Sequence, residues 1–193
     1  RASLAGLQGH HLGFYGTTPG LAGQFNMLGV VPFHVLPYPV NPEFQPCERP
    51  DRSPGVLRAV CAGGARREKG GHLLADFVAL LRRAFLVPGR IQLLIQPDRT
   101  ENTRETLEAS AADIMAAYDR YEVARESSAP VVLLPNPLSP AEYQDLVRSA
   151  DVGLFLYDSQ TYYARCSGVL LEMLAAGIPV IVPAGCWLAD QLA

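Results

Sequence analysis

Two stretches of the chain concentrate the groups that can meet a phosphate. The first is Gly63-Gly64-Ala65-Arg66-Arg67-Glu68-Lys69-Gly70-Gly71. Leading glycines let a backbone approach a ligand closely, and Arg66 and Lys69 bring positive charge to the same place. Lys69 is the single lysine of a chain with 16 lysines and arginines together, which marks its site out. The second stretch is Tyr162-Tyr163-Ala164-Arg165-Cys166-Ser167-Gly168, ahead of a helix expected over Val169–Ala176. A helix start offers unpaired N–H groups and the positive end of its dipole, here at Ser167, Gly168 and Val169. Arg165 adds a cation beside it, and Glu172 lies one turn inside. Taken singly, each stretch reads as readily as a solvated turn or an ordinary capped helix.

Several chemistries are not supported. The first loop is neither a Walker A loop nor G-x-G-x-x-G, because Gly70 stands where Ser or Thr would hold magnesium. There is no G-x-S-x-G, no D-x-D and no carboxylate–histidine pair at metal spacing, so no metal ligands are assigned. The four cysteines are scattered without C-x-x-C spacing, as suits reduced thiols. A net charge of −3 without a basic run argues against nucleic acid or a polybasic membrane patch. With no membrane-length apolar run and no signal peptide, the expected location is cytoplasmic.

The elements that must carry these loops alternate regularly. Strands are predicted at Val56–Ala62, Ile91–Ile95, Val131–Leu134, Val152–Tyr157 and Val180–Pro183. Helices are predicted at His72–Leu86, Arg104–Tyr121, from Ser139-Pro140 to about Ala150, at Val169–Ala176 and from Trp187. The first of these should bury Leu73, Leu74, Phe77, Leu80, Leu81 and Phe85. Such alternation, with 49% hydrophobic residues, means an α/β, Rossmann-like parallel sheet of about five strands with helices on both faces. Both loops then follow the carboxyl ends of strands, where ligands of such sheets sit. Ahead of this lies a small βαβ unit: strand His11–Tyr15, helix Leu21–Leu28 opened by Thr17-Thr18-Pro19, and strand Phe33–Leu36. A proline-rich stretch follows, so 1–42 reads as the tail of one domain plus a linker, and 43–193 as a second domain.

The order REKG, LPNPLSPAEYQDLVRSADVGLFLY, SGVLLEMLAAGIPVIVP resembles the C-terminal domain of GT-B-fold glycosyltransferases of the large group 1 family. The resemblance implies that Lys69 and Arg66 hold a nucleotide diphosphate, together with Gly63, Gly64 and the amides of Ser167, Gly168 and Val169. It implies that Glu172, the second member of a paired-glutamate motif, binds ribose, and that Asn136 lies by the nucleobase. Two departures stand out: Ala164 replaces the first glutamate, and Gly64 replaces an arginine. Tyr163 and Arg165 belong to a Tyr–Arg–Ser–Gly variant loop, with Arg165 expected to line the same cleft as Lys69 rather than pair with Asp158 or Glu172. The implied function is the donor-binding part of a glycosyltransferase that uses a nucleotide sugar without metal or cofactor, retaining configuration. Its acceptor, whether saccharide, lipid or small molecule, is not legible, and membrane contact is expected only through the rest of the first domain. A non-catalytic nucleotide-binding module and a nucleotide-sugar 2-epimerase are the alternatives.

Overall fold

The computed structural model describes residues 11–46, 55–86, 88–97, 130–135 and 137–192. The helix expected over Arg104–Tyr121 and the expected nucleobase residue Asn136 lie outside them. The chain begins with β1 (Phe14–Gly16), α1 (Pro19–Met27) and β2 (Phe33–Val35), a parallel βαβ unit with Phe14 opposite Phe33. Thr18 caps α1 by accepting the Leu21 N–H at 3.0 Å, and Pro19 fills a first-turn position where no N–H is needed. The Asn26 side chain brackets the backbone of Phe33, donating to its carbonyl at 3.0 Å and accepting from its N–H at 2.7 Å. Such a two-stranded unit cannot bury both faces, and Tyr15, Met27, Leu28 and Leu36 remain exposed.

The main sheet is built from β3 (Leu57–Ala65), β4 (Ile91–Pro97), β5 (Val131–Leu133), β6 (Val152–Leu154) and β7 (Val180–Ile181). All pairings are parallel and the order is β5-β4-β3-β6-β7. This is the Rossmann-like α/β sheet that the sequence predicts. The chain moves outward from β3 to β5, then returns to the other side of β3 with β6. That reversal makes β3 and β6 the topological switch point, where the crossover connections part and leave a crevice at the carboxyl ends. Among the described residues, no helix is long and apolar enough to cross a membrane.

Among the described residues, the helices around this sheet are α2 (Leu74–Leu81), α3 (Pro140–Ser149), α4 (Gly168–Ala175) and α5 (Trp187–Asp190). α3 starts with a capping box: Ser139 Oγ accepts the Glu142 N–H at 3.3 Å, and the Glu142 carboxylate accepts the Ser139 N–H at 2.9 Å. α4 starts on Ser167, whose buried Oγ accepts the Leu170 N–H at 3.3 Å. β3 faces two cores at once, as alternation along a strand requires. Val60 packs with Val147, Leu170, Met173 and Leu188 on one face, while Ala59 and Cys61 pack with Leu74, Val78, Leu93 and Ile95 on the other. Phe44, just past the proline-rich stretch, is buried in the first core and meets Tyr143 of α3 edge-on at 5.9 Å.

The helix expected over His72–Leu86 is corrected. A 3₁₀ turn at Gly71–Leu73 precedes α2, and a π turn at Arg82–Leu86 follows it. These turns rotate the helix against the expected face: Leu74, Ala75, Val78 and Leu86 are buried, whereas Leu73, Leu80 and Phe85 are exposed. The π turn ends at Leu86, which packs into the core. β6 and α4 approach so closely that a Cβ on Gly153 would overlap Met173 Sδ and sit 3.2 Å from Phe155. Gly153→Val is expected to lower the unfolding free energy by about 1–3 kcal/mol through overpacking. Urea denaturation, with an unchanged midpoint counting against the packing described, checks it.

Candidate functional site

β3 continues beyond its expected end, through Gly63 and Gly64 to Ala65, with a register shift against β4 between Cys61 and Ala65. Gly63 and Gly64 adopt φ of 88° and 66°, a region L side chains rarely enter, so the irregularity falls where only glycine suits it. The Gly63 N–H donates to Gln96 Oε1 at 2.7 Å, and its carbonyl accepts from Lys69 Nζ at 2.7 Å. A Cβ on Gly63 would lie 2.7 Å from Val169 Cγ2 and 3.1 Å from Lys69 Nζ. Gly63, Lys69 and the start of α4 therefore meet at one point, which the sequence predicts. Lys69 is half-buried, its ammonium also 5.6 Å from the centre of the Tyr157 ring.

The turn that carries Lys69 spans Arg67–Lys69 and ends at Gly70, with φ of 82°. A Cβ on Gly70 would overlap the Leu156 carbonyl oxygen. The turn thus lies directly on the backbone that leaves β6, and the Asp158 N–H donates to Glu68 O at 3.0 Å to fasten it. Arg66 is exposed and pairs with Glu68 at 3.0 Å, a surface contact of small energetic weight.

A cavity of about 330 Å³ opens at the switch point, lined by Gly63, Gly64, Arg66, Gln96, Leu138, Tyr143 and Val169. Val169, in the first turn of α4, forms its helix-side wall. The Tyr143 hydroxyl donates to Glu172 Oε2 at 2.6 Å, tying α3 to α4 behind the cavity. Burial pushes the Tyr143 phenol well above its ordinary range and the Glu172 bond raises it further, so it stays a donor. Tyr38, in the stretch joining the two units, packs over the helix start: a Cβ on Gly168 would be 3.1 Å from its ring. Burial likewise pushes the Cys61 thiol up to about 12, which leaves it protonated and inert.

A second cavity, of about 550 Å³, lies between α1 and the loop from β6 to α4, and Ala164, Arg165 and Tyr163 line it. Arg165 is exposed, and among the described residues neither Asp158 nor Glu172 forms an ion pair with it. Instead the Asp158 carboxylate accepts the Thr161 N–H at 2.6 Å. Arg165 and Tyr163 therefore line a different cavity from Arg66, Gly63 and Val169. The expectation that Arg165 shares a cleft with Lys69 is corrected: Ala164, beside it, is drawn toward α1 by a hydrogen bond from Thr18 Oγ1 to its carbonyl, at 2.5 Å. Tyr143, Gln96 and Tyr38 were not legible as site residues. Only Tyr143 had a signal, since counting one turn on from the Ser139 cap puts it at the start of α3. Among the described residues, no three His, Cys, Asp or Glu side chains group as metal ligands.

No protein-family model and no curated protein matches the sequence. Solved structures do match in three dimensions. A UDP-forming α,α-trehalose-phosphate synthase from Burkholderia xenovorans aligns with a TM-score of 0.58 at 18% identity, over 92% of this chain and 48% of that one. An E. coli trehalose-6-phosphate protein bound with UDP-2-fluoro glucose aligns with a TM-score of 0.55 at 18% identity, over 83% of this chain and 39% of that one. The fold is that of the GT-B glycosyltransferases. The chain spans less than half the length of these GT-B structures.

Gly70 fixes how the GT-B sheet presents its cationic turn. Gly70→Ala adds strain at positive φ, about 1–2 kcal/mol, and also an overlap with backbone that cannot move aside. Gly89, at φ of 67° with nothing within 4 Å of where its Cβ would stand, supplies the control. Chemical denaturation should show Gly70→Ala costing more than Gly89→Ala; equal costs would contradict the close approach to Leu156.

Proposed function

We propose that this chain is the donor-binding part of a glycosyltransferase that takes its sugar from a nucleotide-diphospho-sugar, with no divalent metal and with retention of configuration. The observation that carries the reading is the first cavity, where Arg66, the Gly63–Gly64 backbone and the start of α4 converge at the switch point of a GT-B sheet. Lys69 stands directly behind it. The E. coli relative of the same fold is a structure bound with UDP-2-fluoro glucose, a nucleotide sugar analogue.

In such a transfer the bond from the anomeric carbon to the diphosphate breaks and negative charge grows on the leaving oxygen. Fixed cations and aimed N–H groups stabilise that charge without reorganising, an effect worth several kcal/mol where water is excluded. Arg66 offers a planar fork for the phosphates and Lys69 a compact charge. The amides of Gly168 and Val169 complete the anion cradle, with the helix dipole behind them. Glu172 accepts from ribose hydroxyls through the oxygen that Tyr143 does not hold. A nucleotide-binding module without transfer is the second reading, favoured by Ala164: it stands where the family's first glutamate would, and its backbone is turned to Thr18.

Calorimetry with UDP and GDP in EDTA tests the donor site. The chain should bind a nucleoside diphosphate, and Arg66→Gln should weaken it about tenfold. Glu172→Gln should weaken it too, but leave the 2′,3′-dideoxy diphosphate unaffected, since that ligand has no hydroxyl to lose. Binding that appears only with magnesium removes the metal-free mechanism, and no binding under either condition removes the donor site. Sugar transfer or hydrolysis by the complete protein separates the two readings.

A further inference from the structure

The first cavity contains a polar side chain to which the proposed donor contacts give no role. Gln96 stands at the carboxyl end of β4 with only 6% of its surface exposed, although its side chain carries an acceptor and two N–H donors. The register shift between Cys61 and Ala65 takes the Gly63 N–H out of the regular ladder with β4. The Gln96 side chain accepts that N–H instead, at 2.7 Å. A backbone N–H can only donate, so the atom that meets it is Oε1, and the orientation of the amide is thereby fixed. The Gly63 carbonyl is held in turn by Lys69 Nζ at 2.7 Å, so Gly63 is pinned from both sides.

With Oε1 committed to Gly63, the other end of the amide presents donors only. Among the described residues the side chain makes no other hydrogen bond, and it lines the cavity, so its N–H groups reach the space a ligand fills. A nearly buried amide with both N–H groups unpaired is costly, and protein interiors keep few unless a ligand or water completes them. β4 lies between β3 and β5, so Gln96 stands between the Gly63–Arg66 wall and the Pro137–Leu138 wall. A ligand that spans the cavity passes it. Arg66 brings charge, which reaches far and selects little. Gln96 brings none, and asks instead for a lone pair at one fixed place. A ligand with a donor or a methyl group there would leave the amide unpaired and be rejected.

We infer that Gln96 is a specificity-determining residue of the first cavity, whose side-chain amide donates to an acceptor oxygen of the bound nucleotide, on its diphosphate or its base. The assignment rests on the donor site proposed above.

The test compares UDP binding to the whole chain by calorimetry in wild type, Gln96→Glu and Gln96→Met. Glu keeps the acceptor for the Gly63 N–H and loses the donors, whereas Met, of similar length, loses both without adding charge. Each should weaken UDP about tenfold, as the loss of one hydrogen bond requires. The ratio of Gln96→Glu to wild type should persist in about 1 M salt, where charge repulsion is screened. Pyrophosphate and uridine, titrated separately, locate the oxygen: the fragment that weakens along with UDP carries it. Loss in Gln96→Met alone would make Gln96 a mere support for Gly63. Loss in Gln96→Glu alone, or one that salt abolishes, would reflect only the added charge. Either result overturns the inference. If Gln96→Met does not fold by circular dichroism, the Gln96→Glu salt series decides. A wild-type chain that binds no UDP, with or without magnesium, removes the donor site and this inference together, whereas UDP binding indifferent to both substitutions removes the inference alone.

Discussion

The close approach of the Lys69 turn to the end of β6 is the contact on which the rest of the site depends. Gly70 lies against the Leu156 carbonyl, and the Asp158 N–H donates to Glu68 O at 3.0 Å. Two loops that are far apart in sequence are thereby joined backbone to backbone. No side chain mediates the joint, so it leaves little play between the cation and the start of α4. Electrostatic stabilisation of a developing charge relies on such fixed placement, because dipoles that must first turn cost energy when the charge appears.

Polar groups buried around this joint are satisfied in ways that also link the two units of the chain. Thr18 is fully buried at 0% exposure, yet its hydroxyl both accepts from Leu21 and donates to Ala164. Leaving either group unpaired would cost about 1–3 kcal/mol. The same hydroxyl therefore caps α1 and holds α1 against the variant loop. Glu43 and Phe44 anchor the end of the joining stretch on the second unit: Arg148 donates to the Glu43 carbonyl at 3.0 Å, Gln144 donates to its carboxylate, and Phe44 enters the core.

The two cavities share the β6–α4 loop but differ in character. The first is walled by the Gly63–Gly64 backbone, Arg66, Gln96, Tyr143 and the start of α4. The second is walled by amides, hydroxyls, an aromatic ring and Arg165. Ala164 is buried with its carbonyl turned to α1. An alanine there buries only a methyl group and avoids the desolvation cost of a buried carboxylate.

Much of this was legible in the residues themselves. Continuous apolar runs marked the strands, Ser139 and Ser167 marked helix starts by their capping chemistry, and alternation of strand and helix dictated a parallel sheet with its crevice at the carboxyl ends. The meeting of the Gly63–Lys69 loop with the start of α4 followed from that, because both loops had to leave the same edge. The local pattern could not decide the phase of α2, which was set by a 3₁₀ turn before it and a π turn after it, both adjustments to packing. Nor could it decide which cavity Arg165 would face. That depended on the Thr18–Ala164 hydrogen bond, made across 146 residues, and long-range contacts of this kind have no periodicity to read. Sequence determined which groups stand at the edge of the sheet; tertiary structure decided how they divide between two cavities, because only packing fixes the direction of a loop.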